Sequence, residues 1–127
     1  MINLTQHGAV QEQLQLGVVD LPQGEGSVGA YVRELLTFET LPSSRVLLDR
    51  ADEIARVAAD HGHDAAMIGG APFFMGALER ALNNKGIKPY YAFSMRDSIE
   101  KDGVKTSVFR HAGFVDPTTG MGYGGVL

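Results

Sequence analysis

The chain has 127 residues, enough for one domain with a real core. Apolar residues make up 44% and charged residues 20%, which excludes a disordered chain, and no stretch approaches the ~20 apolar residues of a membrane span. Cysteine is absent, which removes disulfide frames and thiolate chemistry and fits a reducing cytoplasm; the formal net charge of -4 argues against sequence-blind binding of long nucleic acid and leaves room for a small anionic ligand.

In chain order, MINLTQ opens as a short strand, without the basic segment and long apolar run of a secretory signal. VQEQLQL follows as one or two helical turns and GVVDL as a second short strand. QGEGSVG, with its three glycines, is a loop, and AYVRELLTF a short helix. In LPSSRVLLDRADEIARVAADHG, Ser43 or Ser44 serves as N-cap; Leu47, Ala51, Ile54, Ala55 and Ala58 then recur at helical spacing, and Gly62 ends the helix. DAAMIG is a short buried strand. PFFMGALERALNNKG is a helix with Phe74, Leu78, Ala81 and Leu82 on one side and Gly86 as its stop, and IKPYYAFSM is the next strand. Asp102 and Gly103 signal a hairpin turn between SMRDSIEK and VKTSVFRHAGFV. Strands alternating with helices predict one α/β domain over residues 1–115: a Rossmann-like, mostly parallel sheet with helices on both faces and a C-terminal antiparallel hairpin at one edge. No internal repeat is present. The glycine-rich tail, residues 116–127, is expected to be mobile unless a partner orders it.

Chemistry concentrates at strand ends. In MIGGAPFF, Gly69 and Gly70 allow close backbone approach, Pro72 suits the first helical position, and the free N–H groups of Gly70 and Ala71 with the helix dipole favour an anion. The same residues also make an ordinary strand-to-helix turn, and the segment is neither a Walker loop nor a full GxGxxG. His7 in LTQHGA follows the first strand, so it belongs at the same rim as the glycines. In FSMRDSIE, alternation puts Ser94, Arg96, Ser98 and Glu100 on one face, a phosphate-binding surface or simply a solvated one. Lys105, Ser107, Phe109 and His111 share a face of the last strand, with Arg110 opposite; that mixture suits a nucleotide or an oligomer seam. His61 and His63 lack further ligands at metal-binding spacing and read as surface loop residues.

The segments INLTQHGAVQEQ and AMIGGAPFFMGALERALNNKGIKPYYAFSMRDSIEKDGVKTSVFRHAGFV together resemble the small stand-alone CRISPR-accessory proteins of the Csx ring-nuclease type, relatives of the CARF domain. The features that carry the resemblance are His7 after the opening strand, Gly69 and Gly70, the Gly86-Ile87-Lys88-Pro89 entry to a strand, Ser94, Arg96 and Glu100, Gly103, and Phe109, His111 and Phe114. Residues 22–60 lie outside it, and the chain departs from the pattern at Gly8-Ala9-Val10 and in the tail beyond Val115.

The resemblance implies a ligand, the cyclic oligoadenylate messengers of type III CRISPR systems, and a homodimer whose two strand-end pockets face each other across a two-fold axis. It implies cleavage without a metal or cofactor; that neither a membrane nor long nucleic acid is a partner is the expectation from the apolar runs and the net charge. The ring's own 2′-OH attacks the neighbouring phosphorus; the protein aligns it, stabilises phosphate charge and handles a proton. Arg96 and the Gly70 and Ala71 N–H groups suit the charge, and His7 suits the proton. Gln6, Gly69, Gly70, Ala71, Pro72, Phe73, Ser94, Ser98, Lys105 and His111 are the expected ligand contacts. The alternatives are a protein that sequesters the same ligand uncut, and a Rossmann-like scaffold that docks on a partner through the C-terminal hairpin and tail.

Overall fold

The computed structural model describes residues 1–118 and 122–123; the expectation for the glycine-rich tail falls mostly outside them. The chain runs β1 (Ile2–Leu4), α1 (Gln11–Gln15), β2 (Val19–Asp20), α2 (Val28–Leu35), α3 (Ser44–Asp60), β3 (Ala65–Ile68), α4 (Pro72–Asn84), β4 (Lys88–Lys101), β5 (Val104–Val115) and β6 (Gly122–Tyr123). These form a mixed α/β fold around one sheet of order β2-β1-β3-β4-β5-β6. The pairs β1–β2, β1–β3 and β3–β4 are parallel, and β5 returns antiparallel beside β4. Among the described residues, no helix is long and apolar enough to cross a membrane.

Local chemistry sets the helix starts. Ser27 and Ser43 accept hydrogen bonds from the N–H groups of Ala30 and Val46, each satisfying a donor that the helix leaves open. Ser43 is therefore the cap of α3, and Ser44 is its first residue. In α1 the reciprocal contact serves: Gln13 Oε1 accepts from the Val10 N–H at 3.0 Å. Pro72 opens α4 with no side-chain cap before it. The β4–β5 turn has Asp102 at φ 54 and Gly103 at φ 77, the doubly positive geometry of a two-residue hairpin.

The sheet separates two apolar clusters. Ile2, Leu4, Ala66 and Ile68 face the larger one, where Val32 of α2, Ile54 and Ala58 of α3, and Phe74, Leu78 and Leu82 of α4 cover them. Met67, Tyr90 and Phe114 face the smaller one with Val18; Ala9 and Leu16, on either side of α1, pack against it. The cover is thus unequal, and handedness explains it. The step from β1 to β2 runs one way across the sheet; the steps from β2 to β3 and from β3 to β4 run the other. Right-handed crossovers then send α2, α3 and α4 to one side together.

Gly29, buried in the first turn of α2, has no room for a side chain. A Cβ there would lie 2.5 Å from the Pro22 carbonyl oxygen and 2.8 Å from Gln23 Nε2. Gly29→Ala is expected to cost about 1–3 kcal/mol, as overpacking does. A urea melt checks this, and an unchanged midpoint would show that the segment before α2 yields freely.

Candidate functional site

The order β2-β1-β3 makes the gap between β1 and β3 the point where the chain reverses its direction across the sheet. In open α/β sheets, ligands sit outside the carboxyl ends of the strands at that point. A cleft of about 420 Å³ opens there. The segment after β1 lines it with Thr5, Gln6, His7 and Gly8, and α1 adds Val10 and Gln13. Met67, Ile68, Gly69 and Gly70 come from the end of β3, and Tyr91 and Ala92 from β4.

Hydrogen bonds fix the segment after β1. Asn3, buried in the central strand, donates from Nδ2 to the His7 carbonyl at 2.7 Å and to Asp20 Oδ1 at 2.8 Å. Asn3 Oδ1 accepts from the Thr5 N–H at 2.9 Å. The Thr5 hydroxyl lies 2.7 Å from Asn3 Oδ1 and 2.9 Å from the His7 carbonyl, and donates to one of them. Asp20 Oδ1 also accepts from the Ala9 N–H at 3.0 Å. The His7 backbone is therefore held at a defined place. Its ring is exposed and has no protein partner among the described residues. Gln6 is tied elsewhere: its amide donates to the Leu36 carbonyl and Thr37 Oγ1, both at 3.2 Å, and joins the cleft to the end of α2.

Opposite His7, Gly70 has φ 150, a conformation that L side chains rarely adopt. Gly69 lies outside that region, and a Cβ on it would meet Thr5 Cγ2 at an ordinary 3.6 Å. Tyr91 donates its hydroxyl to Glu79 Oε2 at 2.6 Å. Burial, reinforced by that hydrogen bond, pushes the Tyr91 phenol well above its usual range, so it stays protonated at neutral pH. Among the described residues, no Lys, Arg, Asp or Glu lines the cleft. Its charge chemistry is one imidazole and a set of backbone and amide groups.

Of the residues expected from sequence, Gln6, His7, Gly69 and Gly70 line this cleft. Ala71, Pro72 and Phe73 follow directly at the start of α4; the Phe73 ring is 56% exposed and packs edge-on to Phe38 at 5.1 Å. Ser94, Arg96, Ser98 and Lys105 stand apart, on the part of the β4–β5 hairpin beyond the sheet. The hairpin register does place Ser94, Arg96, Ser98 and Glu100 on one face with Lys105, Ser107, Phe109 and His111, and Arg96 sits 5.1 Å over the Phe109 ring. Arg110 is on the other face, paired with Asp97 at 3.1 Å. His111 lies one residue behind the cleft wall: Gln13 Nε2 is 3.4 Å from its Nδ1, and its ring packs on Phe114 at 4.6 Å. His61 closes α3, with Nδ1 2.9 Å from the Val57 carbonyl. Thr5, Gly8, Val10, Gln13, Met67, Ile68, Tyr91 and Ala92 complete the lining and were not singled out from sequence.

With this geometry in hand, the comparisons give one family. The chain belongs to the family described as the Uncharacterized protein MJ1673 family, whose model matches residues 1–115. No curated protein and no solved structure matches the chain.

Proposed function

We propose that the cleft between β1 and β3 binds cyclic oligoadenylates of type III CRISPR signalling and opens the ring without a metal ion, in the manner of the Csx-type ring nucleases that the sequence resembles. The observation that carries the reading is an exposed His7 ring on a pinned backbone, set across a switch-point cleft from Gly69 and Gly70. The start of α4, with no side-chain cap, supplies N–H groups and the positive end of a helix dipole for phosphate. His7 takes the proton of the ring's 2′-OH as that oxygen bonds to the adjacent phosphorus. The P–O5′ bond breaks, the 5′ oxygen gains a proton, and a 2′,3′-cyclic phosphate and a free 5′-OH remain. A cleft of about 420 Å³ takes one nucleotide's base and sugar, not a whole ring. Two copies facing each other would share the ligand, and a two-fold ring suits a two-fold site. A cytoplasmic setting follows from the same reading.

Sequestration without cleavage is the second reading. It is favoured by the absence of Arg and Lys from the lining, which leaves transition-state charge to backbone groups alone.

Ligand should raise the melting temperature, since it binds only the folded state. Gly69→Val tests the place: it fills the cleft without a backbone penalty and should abolish the shift while the free protein melts normally. The same change at Gly70 would not separate the two causes, because φ 150 strains any side chain. A folded Gly69→Val protein with unchanged affinity puts the ligand elsewhere. No shift in the wild type at saturating cyclic tetra- and hexa-adenylate ends the nucleotide reading. Product chromatography then distinguishes linear products from a ring returned intact.

A further inference from the structure

Gln13 is the buried residue of α1, 7% exposed, and it borders the cleft. The two ends of its amide are committed differently. Oε1 accepts from the Val10 N–H at 3.0 Å, which closes the start of α1. That bond fixes the orientation of the amide and turns Nε2 toward His111, 3.4 Å from Nδ1. An amide nitrogen only donates, so Nδ1 accepts, and the network assigns the proton of the neutral ring to Nε2. His111 Nε2 is buried and has no hydrogen-bond partner among the described residues. A buried polar atom left in that state is costly. A phenylalanine at this position would pack on Phe114 as the imidazole does, and would bury no polar atom. What the imidazole adds is an acceptor for Gln13.

Gln13 Nε2 carries two hydrogens, and His111 takes one. The other has no protein partner among the described residues. The wall around it is apolar. Val10 adjoins it in the lining, with Met67 and Ala92, which lie on the same side of the sheet as Tyr90 and Phe114. One neutral donor in an apolar wall suits the edge of a flat heterocycle that presents a ring nitrogen; it ill suits a phosphate. The groups that suit phosphate, at the start of α4, belong to the other side of the sheet. We infer that Gln13 recognises the base of the bound nucleotide through an acceptor nitrogen, and that His111 is its positioning residue, holding the amide so that the cleft meets its N–H and not its carbonyl. The base then lies toward α1 and the phosphate toward α4. Recognition of a base rests on the nucleotide reading above; the coupling of His111 to Gln13 does not.

Nitrogen NMR of the imidazole rings tests the coupling in the ligand-free protein, at a pH where every ring is neutral. His111 should carry its proton on Nε2. In Gln13→Glu the carboxylate still accepts from Val10 but needs a donor on its other side, so the His111 proton should move to Nδ1. A ring with the same tautomer in both proteins overturns the coupling. Adenosine monophosphate and the same sugar phosphate without its base, titrated separately, test the recognition. His111→Phe and Gln13→Met should each weaken the first about three- to tenfold, the worth of one neutral hydrogen bond, and leave the second unchanged. His111→Phe keeps the Gln13 bond to Val10, so a frayed α1 does not account for its effect. His111→Asn, whose Oδ1 stands where Nδ1 stood, should recover most of the loss. Equal loss of both probes, or no recovery with asparagine, makes the pair merely structural and overturns the inference. If the wild type and both variants bind adenosine monophosphate equally well, recognition by Gln13 falls and the nucleotide reading stands. If the wild type binds neither probe nor cyclic tetra-adenylate, the nucleotide reading falls and takes the recognition with it, while the tautomers decide the coupling.

Discussion

His7→Ala is expected to slow ring opening by ~10²–10⁴-fold while ligand affinity changes far less. The prediction is sharp because the ring carries no structural duty. The Asn3 and Thr5 bonds that place residue 7 end on its backbone, so removing the imidazole leaves them intact. Single-turnover rates beside calorimetric affinities measure both quantities on the same samples. Equal losses in the two would make His7 a contact instead of a proton carrier. Asn3→Leu is the informative contrast: it keeps the ring and removes its support, so rate and affinity should fall together with stability.

The largest structural effect is expected at Phe74. Its side chain is wholly buried in the first turn of α4, with Phe38 packed against it at 5.3 Å. Phe74→Ala removes this contact and leaves a cavity in the core beneath the first turn of α4, at a cost of about 3–5 kcal/mol. Against a total of roughly 5–15 kcal/mol for a domain, such a loss leaves little reserve. Denaturant melts should show a lower midpoint with the slope preserved. A cost of less than about 1 kcal/mol would mean that the start of α4 is loosely held and that the cleft wall at Gly69 and Gly70 moves with it.

Much of the frame could be read from local sequence, because the signals that set it are local. Ser43, the apolar spacing through Ala51, Ile54 and Ala58, Pro72, and the Asp102-Gly103 turn each act within a few residues. The cleft was half legible for the same reason. His7, Gly69 and Gly70 each follow a strand, and strands in a parallel sheet end at one rim. Gln13 and Tyr91 carry no such mark: one is the buried face of a five-residue helix, the other an aromatic near the start of a fourteen-residue strand. Arg96 shows a different difficulty. Alternation identified its face correctly, but nothing local tells how far β4 runs past its neighbour, and the strand passes the rim before it reaches residue 96. The bulge between Phe93 and Ser94 also shifts the pairing, so that His111 falls opposite Ser94 and on the same side as Phe114.

The place of β1 between two partners bears on how the molecule is made. Its three residues precede both of their partners in the chain, and the second partner comes more than sixty residues after them. Ile2 meets Val19 almost at once, but its other neighbour is Ala66. At translation rates of ~5–20 residues per second, the strand waits for seconds with one edge open, and closing that long loop is the slow, non-local step of assembly. The Asn3 bonds to Asp20 and Thr5 use only early-made residues. They can hold the loop that carries His7 before its opposite wall exists. The wall itself arrives with Gly69, Gly70 and finally Tyr91. A nascent chain shorter than that has half a cleft, and ligand cannot act as a template for folding until most of the domain has emerged.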